Sequence, residues 1–147
     1  MNTKEKLNQA LKDAMRSGDA TRKTTLRLAL AAIKNAEIEQ RAPLEEPALL
    51  GILQKEVKSR HETIEGAQQA HRPELVAAAE TEIAILEEFL PQPLSETELE
   101  NIIRAAITET GASSRREMGA VMKAVMPQVQ GRADGKMVSE IVNRLLG

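Results

Sequence analysis

The residues with the clearest chemical potential lie near the C-terminal end, where cations surround a turn bracketed by glycines. Residues 111–136 contain five basic residues against two acids; the basic ones are Arg115, Arg116, Lys123, Arg132 and Lys136. Lys and Arg side chains, and backbone amides at a helix start, are groups that hold phosphate oxygens. We therefore predict that the five cations contact phosphates, and that Gly131 and Gly135 let the backbone approach closely.

Two alternatives remain open for this segment. The cations can be ordinary solvated residues on helix faces. An ionised Asp134 can also cap the last helix, in which case it would occupy the same amides and repel an anion. If the segment belongs to a three-helix domain, we expect the turn at residues 131–136 and the start of the preceding helix to lie near one another, as one cationic tip.

No arrangement of side chains predicts catalysis. His61 and His71 are ten residues apart, which is about 15 Å along a helix and too far for a shared metal or a dyad; we read both as exposed. The motifs G-x-S-x-G and G-x-x-x-x-G-K-[ST] are both missing, and there is no Cys. We predict no catalytic residue, no metal site and no cofactor.

Composition narrows the function further. Aromatic residues make up 1% of the chain, Phe89 alone, so bases cannot be bound by stacking on aromatic side chains. Residues 1–41 carry nine Lys/Arg against five Asp/Glu, whereas residues 42–94 carry four against ten, which allows local recognition of an anionic partner. Nothing resembles a signal peptide or a membrane span, so we expect a cytoplasmic protein with no membrane contact.

Helical periodicity runs through nearly the whole chain and predicts an all-α fold. The strongest break is Leu90–Leu94, where two prolines separated by one residue prevent a continuous helix. We predict four helices in an N-terminal domain of residues 1–92 and three short helices in a C-terminal domain of residues 93–147. Ser95 with Glu98, and Ser114 with Glu117, are spaced as capping boxes. Thr3 can cap the first helix, and Met118, Met122 and Met126 form a stripe that we assign to the core.

These elements resemble the GatB/YqeY family, small bacterial proteins similar to the tail domain of the B subunit of glutamyl-tRNA(Gln) amidotransferase. The resemblance rests on Phe89-Leu90-Pro91, on Met118-Gly119 and on Gly131-Arg132-Ala133-Asp134-Gly135-Lys136. Arg22-Lys23 before Leu26-Arg27 resembles the stand-alone YqeY branch. Pro93 departs from the family pattern, and its effect is confined to stiffening the linker.

The resemblance implies a role connected with tRNA, because the amidotransferase tail domain is associated with tRNA recognition. It also implies the label of a carbon–nitrogen ligase with glutamine as amide donor. Amide transfer needs an amidase nucleophile and a Mg-ATP site, and the sequence offers neither. We therefore expect a protein that binds tRNA or other structured RNA, or an aminoacyl-tRNA-related enzyme, without catalysis of its own. The alternatives are a protein-interaction adaptor and a glutamine-dependent ligase acting with a partner.

Overall fold

The computed structural model describes residues 1–147 and consists of helices joined by short turns, without strands. The helices are α1 (Thr3–Ser17), α2 (Ala20–Gln40), α3 (Glu46–Gln69), α4 (Pro73–Glu87), α5 (Glu96–Thr110), α6 (Met118–Val129) and α7 (Gly135–Leu146). A single 3₁₀ turn, Arg115–Glu117, precedes α6. The prediction of an all-α fold is confirmed.

The chain forms two compact units, Met1–Leu90 with α1–α4 and Pro91–Gly147 with α5–α7. We call them the N-terminal and C-terminal units. The division between them falls in the proline-containing segment, where a fixed φ and a missing amide proton prevent helix continuation. Independent folding of residues 1–92 and 93–147 as domains stays a prediction.

The N-terminal unit has an aliphatic core to which all four helices contribute: Leu7, Ala10, Leu26, Ala29, Ile33, Leu49, Leu53, Ile85 and Leu86. Thr3 does not cap α1 as predicted. Asn2 is the cap, because its side chain accepts a hydrogen bond from the Glu5 amide at 2.8 Å. The Thr3 side chain is buried and its hydroxyl donates to the carboxylate of Glu46 at the start of α3.

The C-terminal unit has its own core: Leu99, Ile103, Ala106, Val121, Val125, Val129, Ala133, Val138, Ile141 and Val142. Valines, rather than the methionine stripe, fill the inner face of α6; Met118, Met122 and Met126 are partly buried at its margin. The helix continues through Pro127 and ends two residues later, so the proline lies in its last turn.

One of the two predicted capping boxes forms. Ser95 accepts from the Glu98 amide at 3.1 Å, and the Glu98 carboxylate accepts from the Ser95 amide. The prediction of a capping box at Ser114 is wrong, because the Ser114 side chain makes no capping hydrogen bond. Instead, the Glu117 carboxylate accepts from the backbone amide and the hydroxyl of Ser113, both at 3.2 Å. Residues Arg115–Glu117 form the 3₁₀ turn that leads into α6.

Candidate nucleic-acid interface

Arg132, in the turn between α6 and α7, is partly committed to holding the linker that leads into α5. Its Nε donates to the backbone carbonyl of Gln92 at 3.1 Å, and its own carbonyl accepts from the Leu94 amide at 2.9 Å. The side chain is half-buried. The two terminal nitrogens of its guanidinium make no hydrogen bond within the protein, so they are the part of Arg132 that is open to an external acceptor.

The two glycines of the turn have different surroundings. Gly131 has φ of +85° and is buried. Its predicted role of letting a phosphate approach the backbone therefore does not fit, and glycine is needed there for the left-handed conformation. Gly135 is the first residue of α7 and is half-buried. A Cβ built on it would lie 3.8 Å from Met126 Cε, which is ordinary contact, so the fold itself does not require glycine at this position.

Asp134 caps α7, so the alternative in which this carboxylate occupies the start of the last helix is confirmed. Its side chain accepts from the Lys136 amide at 3.3 Å. A carboxylate at a helix start is stabilised by the positive end of the helix dipole, and it takes the place that a phosphate would occupy. Anion binding at the backbone amides of this turn is thereby disfavoured, which leaves the side chains of Arg132 and Lys136 as the available cationic groups there.

The prediction of a single cationic tip is wrong, because the length of α6 separates Arg115 and Arg116 from the turn at residues 131–136. A Cβ built on Gly147, the residue after α7, would lie 2.5 Å from Arg115 Nη2, so the start of α6 lies at the far end of α7 from the turn. The 12 residues of α6 correspond to about 18 Å of helix. Arg115 and Arg116 therefore lie at one end of the α6–α7 hairpin, and Arg132 and Lys136 lie at the other.

The cations of the C-terminal unit differ in whether they are already paired. Arg116, Lys123 and Lys136 are exposed and make no ion pair. Arg115 lies against the C-terminal end of α7, where a positive charge is favoured by the helix dipole. Arg144 forms ion pairs with Glu96 and Glu100 on α5. Three of the five predicted site residues are thus exposed cations that make no ion pair within the protein.

The remaining candidates for chemistry stay dispersed. His61 lies within α3, whereas His71 follows the helix with φ of +55°; both are exposed, as predicted. No group of three His, Cys, Asp or Glu side chains is placed to hold a metal ion. No helix is both long enough and apolar enough to cross a membrane.

The sequence reasoning missed Arg60, whose side chain is only 11% exposed. Its Nη1 lies 3.1 Å from Glu56 Oε2, and its Nε lies 3.8 Å from Glu82 Oε1 on α4 without a hydrogen-bond partner. A cavity of about 350 Å³ adjoins this cluster and is lined also by Leu28, Ser59 and Thr63. A signal was present, because Arg60 falls on the helical stripe shared by Leu53, Val57, Ile64 and Ala67.

The fold and these side chains define a small all-α protein with unpaired surface cations. The family model of Yqey-like protein matches residues 4–146, and the chain belongs to this family. A relative from Pyrenophora tritici-repentis, "Altered inheritance of mitochondria protein 41, mitochondrial", is 30% identical over 145 residues, covering 97% of this chain and 80% of that protein.

Two yeast proteins with the same name are also similar. The one from Eremothecium gossypii is 41% identical over 85 residues, which is 57% of this chain and 46% of that protein. The one from Lachancea thermotolerans is 38% identical over 111 residues, which is 74% of this chain and 59% of that protein. The chain therefore spans roughly half the length of these two relatives. All three are fungal proteins named as mitochondrial, whereas the sequence resemblance pointed to bacterial ones.

Proposed function

We propose that this protein binds structured RNA, with tRNA as the first candidate, and performs no catalysis of its own. The observation that supports the proposal is the contrast within the C-terminal unit. Arg116, Lys123 and Lys136 are exposed without a partner, whereas Arg144 is held by two carboxylates. Cations that are unpaired in the free protein can neutralise phosphates and release their counterions, which is the main source of affinity for nucleic acids.

The way in which RNA would be recognised follows from what the surface lacks. With a single Phe and no Trp or Tyr, stacking cannot contribute, so recognition depends on helix shape and backbone charge. The resemblance to the tail domain of the amidotransferase B subunit favours tRNA among structured RNAs. The five cations Arg115, Arg116, Lys123, Arg132 and Lys136 remain the proposed contacts, now distributed along the α6–α7 hairpin rather than gathered at one tip.

The label of a glutamine-dependent carbon–nitrogen ligase applies to this chain only through family resemblance. Glutamine hydrolysis requires a nucleophile placed beside a base, and the two histidines lie apart on exposed surfaces. If the chain takes part in amide formation, a partner supplies the chemistry. Purified protein should show no glutaminase activity above buffer, and robust activity would overturn this part of the proposal.

The direct test is a mobility-shift titration of a tRNA transcript with wild-type protein and two variants. Lys123→Ala with Lys136→Ala removes two unpaired charges and should weaken binding about tenfold or more at low salt, since each phosphate contact contributes electrostatically. Arg144→Gln removes a charge already paired with Glu96 and Glu100, and should leave affinity within about twofold. Equal affinities for all three proteins would refute the proposed contacts.

A protein-interaction adaptor is the second candidate, favoured by an apolar cleft in the N-terminal unit. The cleft, of about 500 Å³, lies at the α3–α4 turn and is lined by Ala67, Pro73, Val76 and Ala77 with polar side chains at its rim. Apolar clefts with polar rims are typical of protein contact sites. Capture of a defined partner that survives nuclease treatment, and is lost on Val76→Asp, would favour this alternative over RNA binding.

Location and domain structure complete the proposal. The names of the relatives place those proteins in mitochondria, which favours a mitochondrial compartment over the cytoplasm expected from the sequence. Imaging of the tagged full-length protein in its own host distinguishes the two. The domains of residues 1–92 and 93–147 are proposed as separately folding parts, and each part expressed alone should show a cooperative unfolding transition.

A further inference from the structure

The second helix carries an unusual concentration of positive charge in the N-terminal unit. From Ala20 to Ala36 the chain has four basic residues and no Asp or Glu. Arg22 is accounted for within the fold, because it forms a two-pronged pair with Glu88 at 2.6 and 3.2 Å. Lys23, Arg27 and Lys34 have neither an ion pair nor a side-chain hydrogen bond.

These three cations share one face of α2. Their spacing of four and then seven residues places them within about 40° of one another around the helix axis and about 16 Å from end to end. Arg27 and Lys34 are exposed, and Lys23 is half-buried. The core side chains Leu26, Ala29 and Ile33 occupy another face. We call Lys23, Arg27 and Lys34 the α2 ridge.

Helix stability does not explain the α2 ridge. A helix is stabilised by acids in its first turn and by bases in its last turn. The neighbouring α1 follows this rule, with Glu5 first and Arg16 last. In α2 the order is reversed: no acid stands in the first turn and no base in the last. Lys23 stands in the first turn and opposes the dipole despite the Asp19 cap, whereas Arg27 and Lys34 lie mid-helix, where the dipole favours neither sign of charge.

The surroundings reinforce the positive charge. Lys12 and Arg16, four residues apart on α1, are exposed and unpaired, and α1 packs against α2. The nearby acids are directed elsewhere: Asp13 accepts from Gln9, and Asp19 accepts from the Arg22 amide. Both acids also interact electrostatically with the Arg22 guanidinium. Five cations on the α1–α2 hairpin are thus left without neutralisation by the protein.

We infer that the α2 ridge, flanked by Lys12 and Arg16, is a second RNA-binding surface that contacts the phosphate backbone of a double-helical segment. The inference rests on the proposed function and adds a surface in the other unit. A straight row of cations on a rigid helix matches a regular row of phosphates, and duplex RNA is read largely through backbone and shape. An anionic membrane is disfavoured because interfacial helices need an extensive apolar face, whereas the exposed large apolar residues of α2 are Leu28 and Ile38, ten residues and about 80° apart around the helix.

The test uses the full chain and a fluorescent RNA hairpin with a perfectly paired stem. The variant K23Q/R27Q/K34Q should lose at least tenfold in affinity at low salt, and the slope of log affinity against log salt should become shallower by about 2 to 3. The control Arg22→Gln lies on the same helix, but the charge it removes is paired with Glu88, so the slope should be unchanged. Glutamine is a good helix former, and the thermal midpoint of the triple variant should stay equal or rise.

The outcomes separate the two proposals. If wild-type protein binds the hairpin and the triple variant binds it with the same affinity and slope, the α2 ridge is not an RNA surface and the proposed function stands. If wild-type protein binds neither the hairpin nor tRNA, both fail. Binding to phosphatidylserine vesicles that depends on the ridge, without RNA binding, would also overturn the inference. A lowered thermal midpoint in the triple variant would show that the ridge serves folding.

Discussion

Arg132 Nε donates a hydrogen bond to the backbone carbonyl of Gln92 across 40 residues of sequence, at 3.1 Å. Arg132→Ala should therefore destabilise the C-terminal unit by about 1 kcal/mol or less, because the exposed Gln92 carbonyl loses a charged donor and can bond to water instead. Arg132→Lys keeps the charge but not the planar guanidinium, and should cost a similar amount. Urea unfolding measures both. Full stability in either variant would contradict a structural role for this bond.

A second prediction concerns the helix cap beside Lys136. Asp134→Asn keeps a side-chain acceptor for the cap while removing a negative charge from beside the proposed RNA contact at Lys136, so RNA affinity should rise a few-fold. Asp134→Ala removes the cap as well and should cost roughly 1 kcal/mol. Anisotropy titrations and urea melts on the same two variants separate the effects. Weaker RNA binding by Asp134→Asn would argue that the cap carboxylate assists binding.

The third prediction is a pH dependence set by Glu37. Its pKa is lowered below the ordinary value of 4.5, first by the hydrogen bond from Lys4 and then by the amide of Leu44, at 2.8 and 2.9 Å. A lowered folded-state pKa means that the stabilisation is present above the ordinary value and is lost as pH falls through the folded value.

Glu37→Gln should accordingly be less stable than wild type at pH 7, and the difference should shrink below the ordinary pKa. Thermal midpoints of both proteins between about pH 7 and pH 3 give the comparison. A difference that grows on acidification would have the wrong sign. Glu39→Gln is the matched control, because Glu39 on the same helix is exposed and makes no ion pair.

The fourth prediction addresses the nearly buried Arg60. Arg60→Ala deprives the carboxylates of Glu56 and Glu82 of the cation that both approach, and should destabilise the N-terminal unit by about 2 to 3 kcal/mol. Arg60→Met with Glu82→Gln replaces the charge by apolar surface and should recover much of that loss. Chemical denaturation of the two variants tests this. Equal stability of Arg60→Ala and wild type would show that the pair contributes nothing.

Local signals in the sequence were sufficient for the elements that depend on neighbouring residues. The helix break at Leu90–Leu94 and the Ser95–Glu98 capping box each depend on residues that are close in sequence. Both are present as predicted. The Ser114–Glu117 spacing is the same signal, yet Glu117 bonds Ser113 instead. A capping pattern in the sequence indicates which hydrogen bonds can form, and the backbone geometry of the surrounding turn determines which of them do form.

Contacts distant in sequence could not be predicted in the same way. The pairing of Arg132 with Gln92, and of Arg22 with Glu88, depends on how helices assemble. Which cations remain unpaired is therefore a property of the fold rather than of composition. The expected cationic tip failed for this reason, since the direction of α7 relative to α6 places Arg115 beside Gly147 and away from the turn.

The most direct test of charge-based RNA binding is the affinity of the wild-type protein for a tRNA transcript across a salt series. Unpaired cations that neutralise about four phosphates or more predict a log–log slope of about −3 or steeper, with tight binding at low salt that fades at physiological salt. A flat salt dependence, or no binding at the lowest salt, would contradict the account.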